Sequence, residues 1–443
     1  MPASATITGK RITILAAGAA GMYCGSCIRD NALALALRRM GHDAVLLPLY
    51  TPVKTDAENA SLKTVFYGGV NVWLQHASRI FRHTPRFMDW LFDRPKFLTW
   101  AGQRGAQTSP AQLGGITLNI IRGDDGPTFK ELKRLAKFLK EELKPDVITI
   151  PNLMFIGAAR YLKEQTGAVI IAECTGEDIF LDAMAEPWRS QAQTLIRERA
   201  AHVDRFIATS HYYAGQMAAY LNVVPTQIDV VYPGVAEKDL ATPEQVANRE
   251  SRITGAKRIG YLARICPEKG IDRLIDAAIL LQQRPGFDAL EVKTAGYLGK
   301  AHAEFYERLT QRIANSPLAQ KYTYLGEVDR EQKLALFDES AVACTPTAYP
   351  EPKGLFVLEA LGRGCPVVLP HHGSFPELME ATKGGITTPP GDAPALAESL
   401  AMLLDSPEQR ITLSRAGYEA VRERFLDTHM AQGMLETFEK ARG

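Results

Sequence analysis

The strongest constraint on how this chain can fold is an alternation: short β-type apolar runs, separated by segments of helical periodicity, repeated along most of its length. Runs at 12–16, 42–49, 116–122, 146–150, 168–173 and 228–231 predict one series of strands, and runs at 258–262, 290–295, 322–325, 341–345, 366–369 and 386–388 predict a second. From residue 116 onward the strands recur about every thirty residues, with helices predicted between them at 128–143 and 156–164, which is the rhythm of parallel βαβ units. Amphipathic helices are predicted at 393–404, 408–424 and 430–442. With 443 residues the chain exceeds one ordinary core, and two domains are the natural division.

Composition narrows the class. A hydrophobic content of 46% with 23% charged residues predicts a soluble globular protein, and no apolar run approaches the length that spans a bilayer. A net charge of +1 argues against nucleic acid as the main partner. Six cysteines in so long a chain make no disulfide framework, so the cytoplasm is the default location. Lys10 and Arg11 before the apolar stretch that follows imitate a secretory leader, yet the same residues make a better first strand.

Between the first strand and a helix predicted over 28–40 lies a loop with Gly18, Gly21 and Gly25. Its spacing is not G-x-G-x-x-G, so a nicotinamide fingerprint is unsupported, but small residues still admit a ligand close to the backbone. Cys24 and Cys27 sit in the same loop as C-x-x-C. Three readings stand: packing thiols, a redox-sensitive pair at a helix N-terminus, or a metal site, the last weakened by the lack of a second Cys/His pair at ligand spacing.

The most informative stretch is 349–368, YPEPKGLFVLEALGRGCPVV. Pro350, Pro352 and Gly354 hold a loop open, and an apolar helical run follows over 355–361 with a single charge, Glu359. A carboxylate inside such a helix costs several kcal/mol unless something hydrogen-bonds it, so Glu359 has an internal partner or awaits a ligand. Glu351 stands eight positions earlier. A buried strand precedes the loop, so the helix N-terminus near Gly354 points its free N–H groups at the loop and suits an anion such as a phosphate. The plainer alternative is a core helix with a salt-bridged glutamate.

Glu351 and Glu359 with Gly354 between them, followed by Gly364-Cys365-Pro366-Val367, resemble the E-x7-E signature of retaining nucleotide-sugar glycosyltransferases, specifically glycosyltransferase family 4. The segment GYLARICPEKGID resembles the family's R-x4-K motif through Arg264 and Lys269, and Gly326-Glu327-Val328 resembles its base-contacting turn. The resemblance covers nearly the whole chain and implies an α/β GT-B fold, two Rossmann-like doubly wound domains facing each other across a cleft. Tyr232-Pro233-Gly234-Val235 is similar to the family's domain junction. It gives an acceptor-side domain over 1–234, a nucleotide-sugar-binding domain over 235–425 and a terminal helix over 426–443 returning to the first domain.

What the resemblance implies for the site is specific. Arg264 and Lys269 hold the donor diphosphate, Glu351 accepts from donor-sugar hydroxyls and Glu359 from the nucleotide ribose. Gly21 and Gly25 lie near the donor phosphates, and Gly354, Leu355, Phe356 and Val328 line the donor site. Two cations at a strand end beside a new helix suit a diphosphate on physical grounds as well: a guanidinium bridges two oxygens and an ammonium acts as a point charge. Asp-x-Asp, the metal motif of the other main glycosyltransferase fold, is absent from the sequence, so the expected reaction needs no metal and no cofactor beyond the nucleotide-sugar co-substrate. The chain departs from the family where histidines usually follow the third and fourth strands; it has Pro151-Asn152 and Thr175-Gly176. Thr175, Glu177 and Asp178 are the candidates to contact sugar or acceptor hydroxyls in their place, with helix capping the alternative for Asp178.

The acceptor is the least determined. Residues 79–104 carry Arg79, Arg82, Arg86, Arg94, Lys96 and Arg104 against Asp89 and Asp93, with Trp73, Trp90 and Trp100 nearby. Such a segment either docks on a membrane surface, implying a lipid acceptor and a peripheral location on the inner face, or lines a sugar site, with Trp73 among the stacking candidates. The near-neutral chain favours a soluble saccharide or small-molecule acceptor. The rival activities are a nucleotide-sugar epimerase or hydrolase on the same fold, a glycosidase, which has no need of a phosphate site, and a redox or binding protein resting on Cys24 and Cys27.

Overall fold

The computed structural model describes residues 9–18, 22–67, 110–253 and 255–443. Gly21, Trp73 and the basic, aromatic segment 79–104 lie outside the described residues. The chain divides into two compact units, Met1–Tyr232 with Met430–Gly443, and Pro233–His429.

The first unit is built on six parallel strands: β1 (Arg11–Ala16), β2 (Asp43–Pro48), β3 (Val147–Ile150), β4 (Val169–Cys174), β5 (Arg205–Ala208) and β6 (Ile228–Val230), in the order β2-β1-β3-β4-β5-β6. Successive side chains alternate across the sheet. Ile12, Ile14, Val147, Ile171 and Ile207 enter one core, while Leu15, Ile148, Ile150, Ile170 and Phe206 enter the other. Because both faces are covered, the strands are apolar nearly throughout, as parallel sheets require. The chain's last helix, Asp427–Lys440, buries Met430, Ala431, Met434 and Phe438 in the first of these cores. Each side chain of that size stabilises by roughly 1.5–3 kcal/mol when fully buried.

Two features depart from the sequence expectations. Residues 116–122, expected as a strand, belong instead to a helix, Pro110–Ile121. β1 pairs with β2 on one side and β3 on the other, so the segment has no place beside β1. It buries its apolar side chains as a helix, and the turn that follows packs so closely that a Cβ at Gly123 would lie 1.9 Å from the Gly157 carbonyl oxygen. A short β-branched run does not distinguish strand from buried helix, and the tertiary contacts decide. The second departure is β5, which had not been anticipated; it fills the place between β4 and β6.

The second unit holds β7 (Arg258–Leu262), β8 (Glu291–Ala295), β9 (Tyr322–Tyr324), β10 (Val342–Cys344), β11 (Val367–Pro370) and β12 (Gly385–Thr388), all parallel, in the order β12-β11-β10-β7-β8-β9. Chain order runs outward from β7 in one direction to β9, then returns to β10 on β7's other side. The winding therefore reverses between β7 and β10. The loops that leave the carboxyl ends of these two strands meet at the reversal, and such a switch point is where doubly wound sheets bind ligands. No helix among the described residues is long and apolar enough to cross a membrane.

Candidate active site

The two loops at the switch point of the second unit carry both sequence motifs. After β7 comes the turn Pro267–Lys269, and Gly270 starts the next helix at φ +70°. A Cβ on Gly270 would sit 1.8 Å from the Pro346 carbonyl oxygen, so only glycine lets the loop after β7 lie against the loop after β10. The Ala348 N–H donates to the Glu268 carbonyl at 2.8 Å and joins the two backbones.

That contact brings Lys269 to Glu351. The Lys269 ammonium donates to Glu351 Oε2 at 2.6 Å, and the Tyr349 hydroxyl donates to the same oxygen at 2.8 Å. The Lys269 Nζ also lies 4.9 Å from the centre of the Tyr349 ring. Both ionised groups are favoured where they stand. Burial works against the Lys269 ammonium, but Glu351 and Tyr349 more than offset it and the pKa rises above the ordinary lysine value. Burial likewise works against the Glu351 carboxylate, which Lys269 and Tyr349 hold below the ordinary range. A third loop, after β11, fixes the Glu351 backbone: the Ser374 N–H donates to its carbonyl at 2.8 Å. Gly373, at φ +62°, passes so near that a Cβ would lie 2.5 Å from the Glu351 nitrogen.

Arg264 differs from its partner in the motif. It is exposed, and its guanidinium makes no hydrogen bond or ion pair with a described residue. The helix Leu355–Gly362 starts from Gly354 at φ +66°, with no side-chain cap and no acidic residue in its first turn. The N–H groups of Leu355 and Phe356 thus stand ready for an anion, and the Phe356 ring packs edge-on against Phe375 at 5.9 Å. One turn further, Glu359 has an internal partner: the Lys333 ammonium, from the helix Arg330–Glu339, donates to its Oε1 at 2.7 Å. Val328 is buried among Ala295, Leu262 and Leu336, so any contact it makes with a ligand goes through its backbone.

Three residues at this end of the sheet had no place in the sequence reading. Tyr349 lay inside the recognised stretch without an assigned role, and Lys333 was not singled out. His372, in the loop that holds Glu351, faces the Thr347 carbonyl with Nε2 at 3.1 Å, and its Nδ1 is buried without a partner. Burial lowers its pKa, so the ring is held neutral with Nε2 as the donor.

In the first unit the structure redirects the residues proposed to replace the family's histidines. Glu177 is buried and spends its oxygens on backbone: Oε1 accepts from the Leu153 N–H at 3.0 Å and Oε2 from the Thr175 N–H at 2.7 Å. Burial raises its pKa despite those hydrogen bonds. Thr175 Oγ1 donates to the Pro151 carbonyl at 3.3 Å. Together they tie the loop after β4 to the loop after β3. Asp178 is half-buried and accepts from the Tyr213 hydroxyl at 2.5 Å, while that hydroxyl accepts from the Gly176 N–H at 2.9 Å. Of the three, Asp178 alone keeps part of its side chain toward solvent.

At the first glycine loop, the helix Gly25–Arg39 begins three residues earlier than expected, with Cys24 as N-cap and open space where a Gly25 Cβ would be. Cys27 is buried in the core beneath it. A hydrogen bond with Cys24 and then burial raise its pKa, against the lowering expected at a helix N-terminus. Both cysteines are free thiols.

Residues 244–420 match the family model for glycosyl transferases group 1, and residues 110–238 match that for glycosyltransferase family 4. The chain is 28% identical over 380 residues to a D-inositol 3-phosphate glycosyltransferase of Kribbella flavida, covering 80% of this chain and 86% of the relative. Among solved structures, sucrose-phosphate synthase from Thermosynechococcus elongatus is similar with a TM-score of 0.69 at 17% identity, over 97% of this chain and 98% of that one. HepE of Anabaena in complex with UDP is similar with a TM-score of 0.66 at 15% identity, over 97% and 99%.

Proposed function

The chain is a glycosyltransferase of the family-4 type with the GT-B fold, a hexosyltransferase that uses a nucleotide-sugar donor, and we propose that it works with retention and without a metal ion on a saccharide or small-molecule acceptor. The observation that carries this reading is the arrangement at the β7/β10 switch point. An exposed guanidinium, an ammonium hydrogen-bonded to a buried carboxylate, and an uncapped helix N-terminus leave the same end of one sheet.

As the bond between the sugar and the diphosphate breaks, negative charge grows on the departing phosphate. Fixed cations and backbone N–H groups aimed at that position lower the barrier without reorganising. Arg264 supplies a fork that bridges two phosphate oxygens, and Lys269 supplies a point charge on the other side of its loop. Lys269 then shares its three donors between Glu351, Tyr349 and the phosphate. Glu351, kept ionised by that pair, remains an acceptor for hydroxyls of the donor sugar. Glu359 is anchored by Lys333 and presents its carboxylate for the ribose. The acceptor hydroxyl gives its proton to the departing phosphate oxygen as its own oxygen bonds to the sugar carbon, so the reaction so described needs no base from the enzyme, and the two side-chain cations take the place of a divalent ion. Arg264 and Lys269 are the catalytic pair, with Glu351 orienting the transferred sugar.

A panel of UDP, GDP and ADP with their sugars, scored by thermal shift, identifies the donor; a ligand at a hundredfold its Kd stabilises by about 2.7 kcal/mol. Proton NMR of the product made with that donor then reads the anomeric configuration, with and without EDTA. An inverted anomer overturns retention, and a loss of turnover in EDTA that Mg²⁺ restores overturns metal independence. Turnover that persists without any acceptor replaces transfer by epimerisation or hydrolysis.

A further inference from the structure

On the β8 side of the loop after β7, three side chains converge that the transfer chemistry does not use: Cys266, Glu268 and His302. One ligand atom from each, the thiol sulfur, a carboxylate oxygen and a ring nitrogen, lie within 4.8 Å of one another. They come from two adjacent strand ends. Cys266 and Glu268 lie on the loop after β7, and His302 ends the turn Lys300–His302 after β8. Backbone pairing continues past both strands, with the Ala263 N–H donating to Ala295 at 3.1 Å and the Ile265 N–H to Tyr297 at 2.9 Å. Gly296 permits this closeness, since a Cβ there would lie 1.8 Å from the Ala263 carbonyl oxygen. The two loops are therefore held side by side by the sheet itself.

We propose that Cys266, Glu268 and His302 form a binding site for a borderline-soft divalent cation of the Zn²⁺ class, separate from the reaction's own requirements. A sulfur, an imidazole nitrogen and one carboxylate oxygen are a donor set for zinc rather than for magnesium or calcium, which demand oxygen ligands. Three protein ligands leave a fourth tetrahedral position to water or an anion. Around one tetrahedral zinc ion the ligand atoms stand roughly 3.3–3.7 Å apart, so closing on the ion takes side-chain rotations of about an ångström. Only weak contacts oppose them: the Cys266 thiol lies 3.7 Å from the Arg264 carbonyl oxygen. The His302 ring has no hydrogen bond to a described residue, and Glu268 is exposed, which also gives the ion its entry path.

The Cys266 sulfur binds a metal only as the thiolate. Binding therefore exchanges one proton, released to solvent, for one metal–sulfur bond. Occupancy ties the β7 loop to the β8 turn on the side of the loop away from Tyr349 and Glu351, and so braces the backbone that carries Arg264 and Lys269. The ion-binding claim stands on its own, whether or not those two cations hold a diphosphate.

Titration of the full chain with Co²⁺ tests it, because a cobalt–thiolate bond gives a charge-transfer band in the near ultraviolet that oxygen and nitrogen ligands alone do not. The wild type should develop this band at one equivalent and lose it when Zn²⁺ is added. Cys266→Ser should abolish the band, His302→Ala should weaken Co²⁺ binding at least about tenfold, and Cys24→Ser should change neither. No band in the wild type overturns the site, and so does a band that survives in Cys266→Ser. Should Cys266→Ser fail to fold, His302→Ala, altered only at a half-buried ring, decides: unchanged affinity in that variant also overturns the site.

Discussion

Removing Lys269 should unfold the second unit's switch point and disable the enzyme for two different reasons, which a double variant separates. In Lys269→Met the Glu351 carboxylate stays where it is, almost fully buried, with Tyr349 as its remaining side-chain donor. Stranding one member of a buried pair costs about 3–5 kcal/mol, while replacing both members with uncharged groups of similar size is close to neutral. The pair qualifies as buried, with side chains 15% and 8% exposed. For a unit of this size each kcal/mol moves the melting midpoint by about 2–4 °C, so Lys269→Met should melt at least about 6 °C below wild type. Glu351→Gln should show a loss of the same kind, because it strands the ammonium. The double variant Lys269→Met/Glu351→Gln should return to within about 1 kcal/mol of wild-type stability by chemical denaturation. Activity should not return. Loss of a phosphate partner worth about 2–5 kcal/mol lowers turnover by roughly 30-fold or more, and the double variant lacks it as surely as the single. A double variant as unstable as the sum of the two singles would refute the pairing argument, and one that regained turnover would refute the catalytic assignment of Lys269.

Four further outcomes follow from the same geometry. The Glu351 pKa is lowered on folding and that of Lys269 raised, so the pair's contribution is present above the ordinary glutamate value of 4.5 and below the ordinary lysine value of 10.5; denaturation midpoints across pH should show the wild type losing stability relative to the double variant below the first and above the second. Glu177 runs the other way, its raised pKa making stability fall as pH rises through the carboxylate range, a slope that Glu177→Gln should remove while costing about 1–3 kcal/mol if a backbone N–H is left unsatisfied. Gly270→Ala forces a Cβ into the Pro346 carbonyl and a φ that only glycine adopts cheaply, so it should part the two motif loops and weaken nucleotide binding, read by calorimetry, at least tenfold. Lys333→Met should destabilise the fold by about 3 kcal/mol by stranding Glu359, and calorimetry should show weaker binding of the free nucleoside as well as of the nucleotide.

The second unit was largely legible in the sequence because its strands are short apolar runs bounded by Gly and Pro. β7 has the bounds expected of it, and the other strands of this sheet begin and end within a residue or two of theirs. The 116–122 segment was not legible, since ITLNII satisfies a strand and a buried helix equally and only the packing of Leu118, Ile120 and Ile121 into the core decides between them. Glu359 shows where reading from composition stops. That a lone carboxylate in an apolar helix needs a partner follows from desolvation, but that the partner is Lys333 follows from the packing of two helices distant in sequence. Thr175 and Glu177 were chosen for their polar atoms, and those atoms turn out to fasten the ends of β3 and β4.

The topology also explains why R-x4-K and E-x7-E, so far apart in the chain, act as one device. β7 and β10 are neighbours only because the sheet winds outward to β9 and then restarts on β7's other side. Any residue placed just after β7 therefore faces one placed just after β10, and the sequence puts a lysine at the first position and a glutamate at the second. Within the first motif the two cations are not equivalent. Arg264 is exposed with no hydrogen-bond or ion-pair partner among the described residues, whereas Lys269 is already pinned by Glu351 and Tyr349. On the proposed reading, a diphosphate reaching the loop would meet Arg264 without breaking a pair to a described residue, and would gain Lys269 only by sharing it with Glu351. The ammonium has three donors for this, so sharing is geometrically open. A salt dependence of nucleotide affinity should therefore be carried by the exposed Arg264, whose charge is screened by solution ions, and be nearly absent from the buried lysine. Isothermal titration of Arg264→Ala and wild type at low and high ionic strength reads this, and an equally steep salt dependence in both would show that the first contact lies elsewhere.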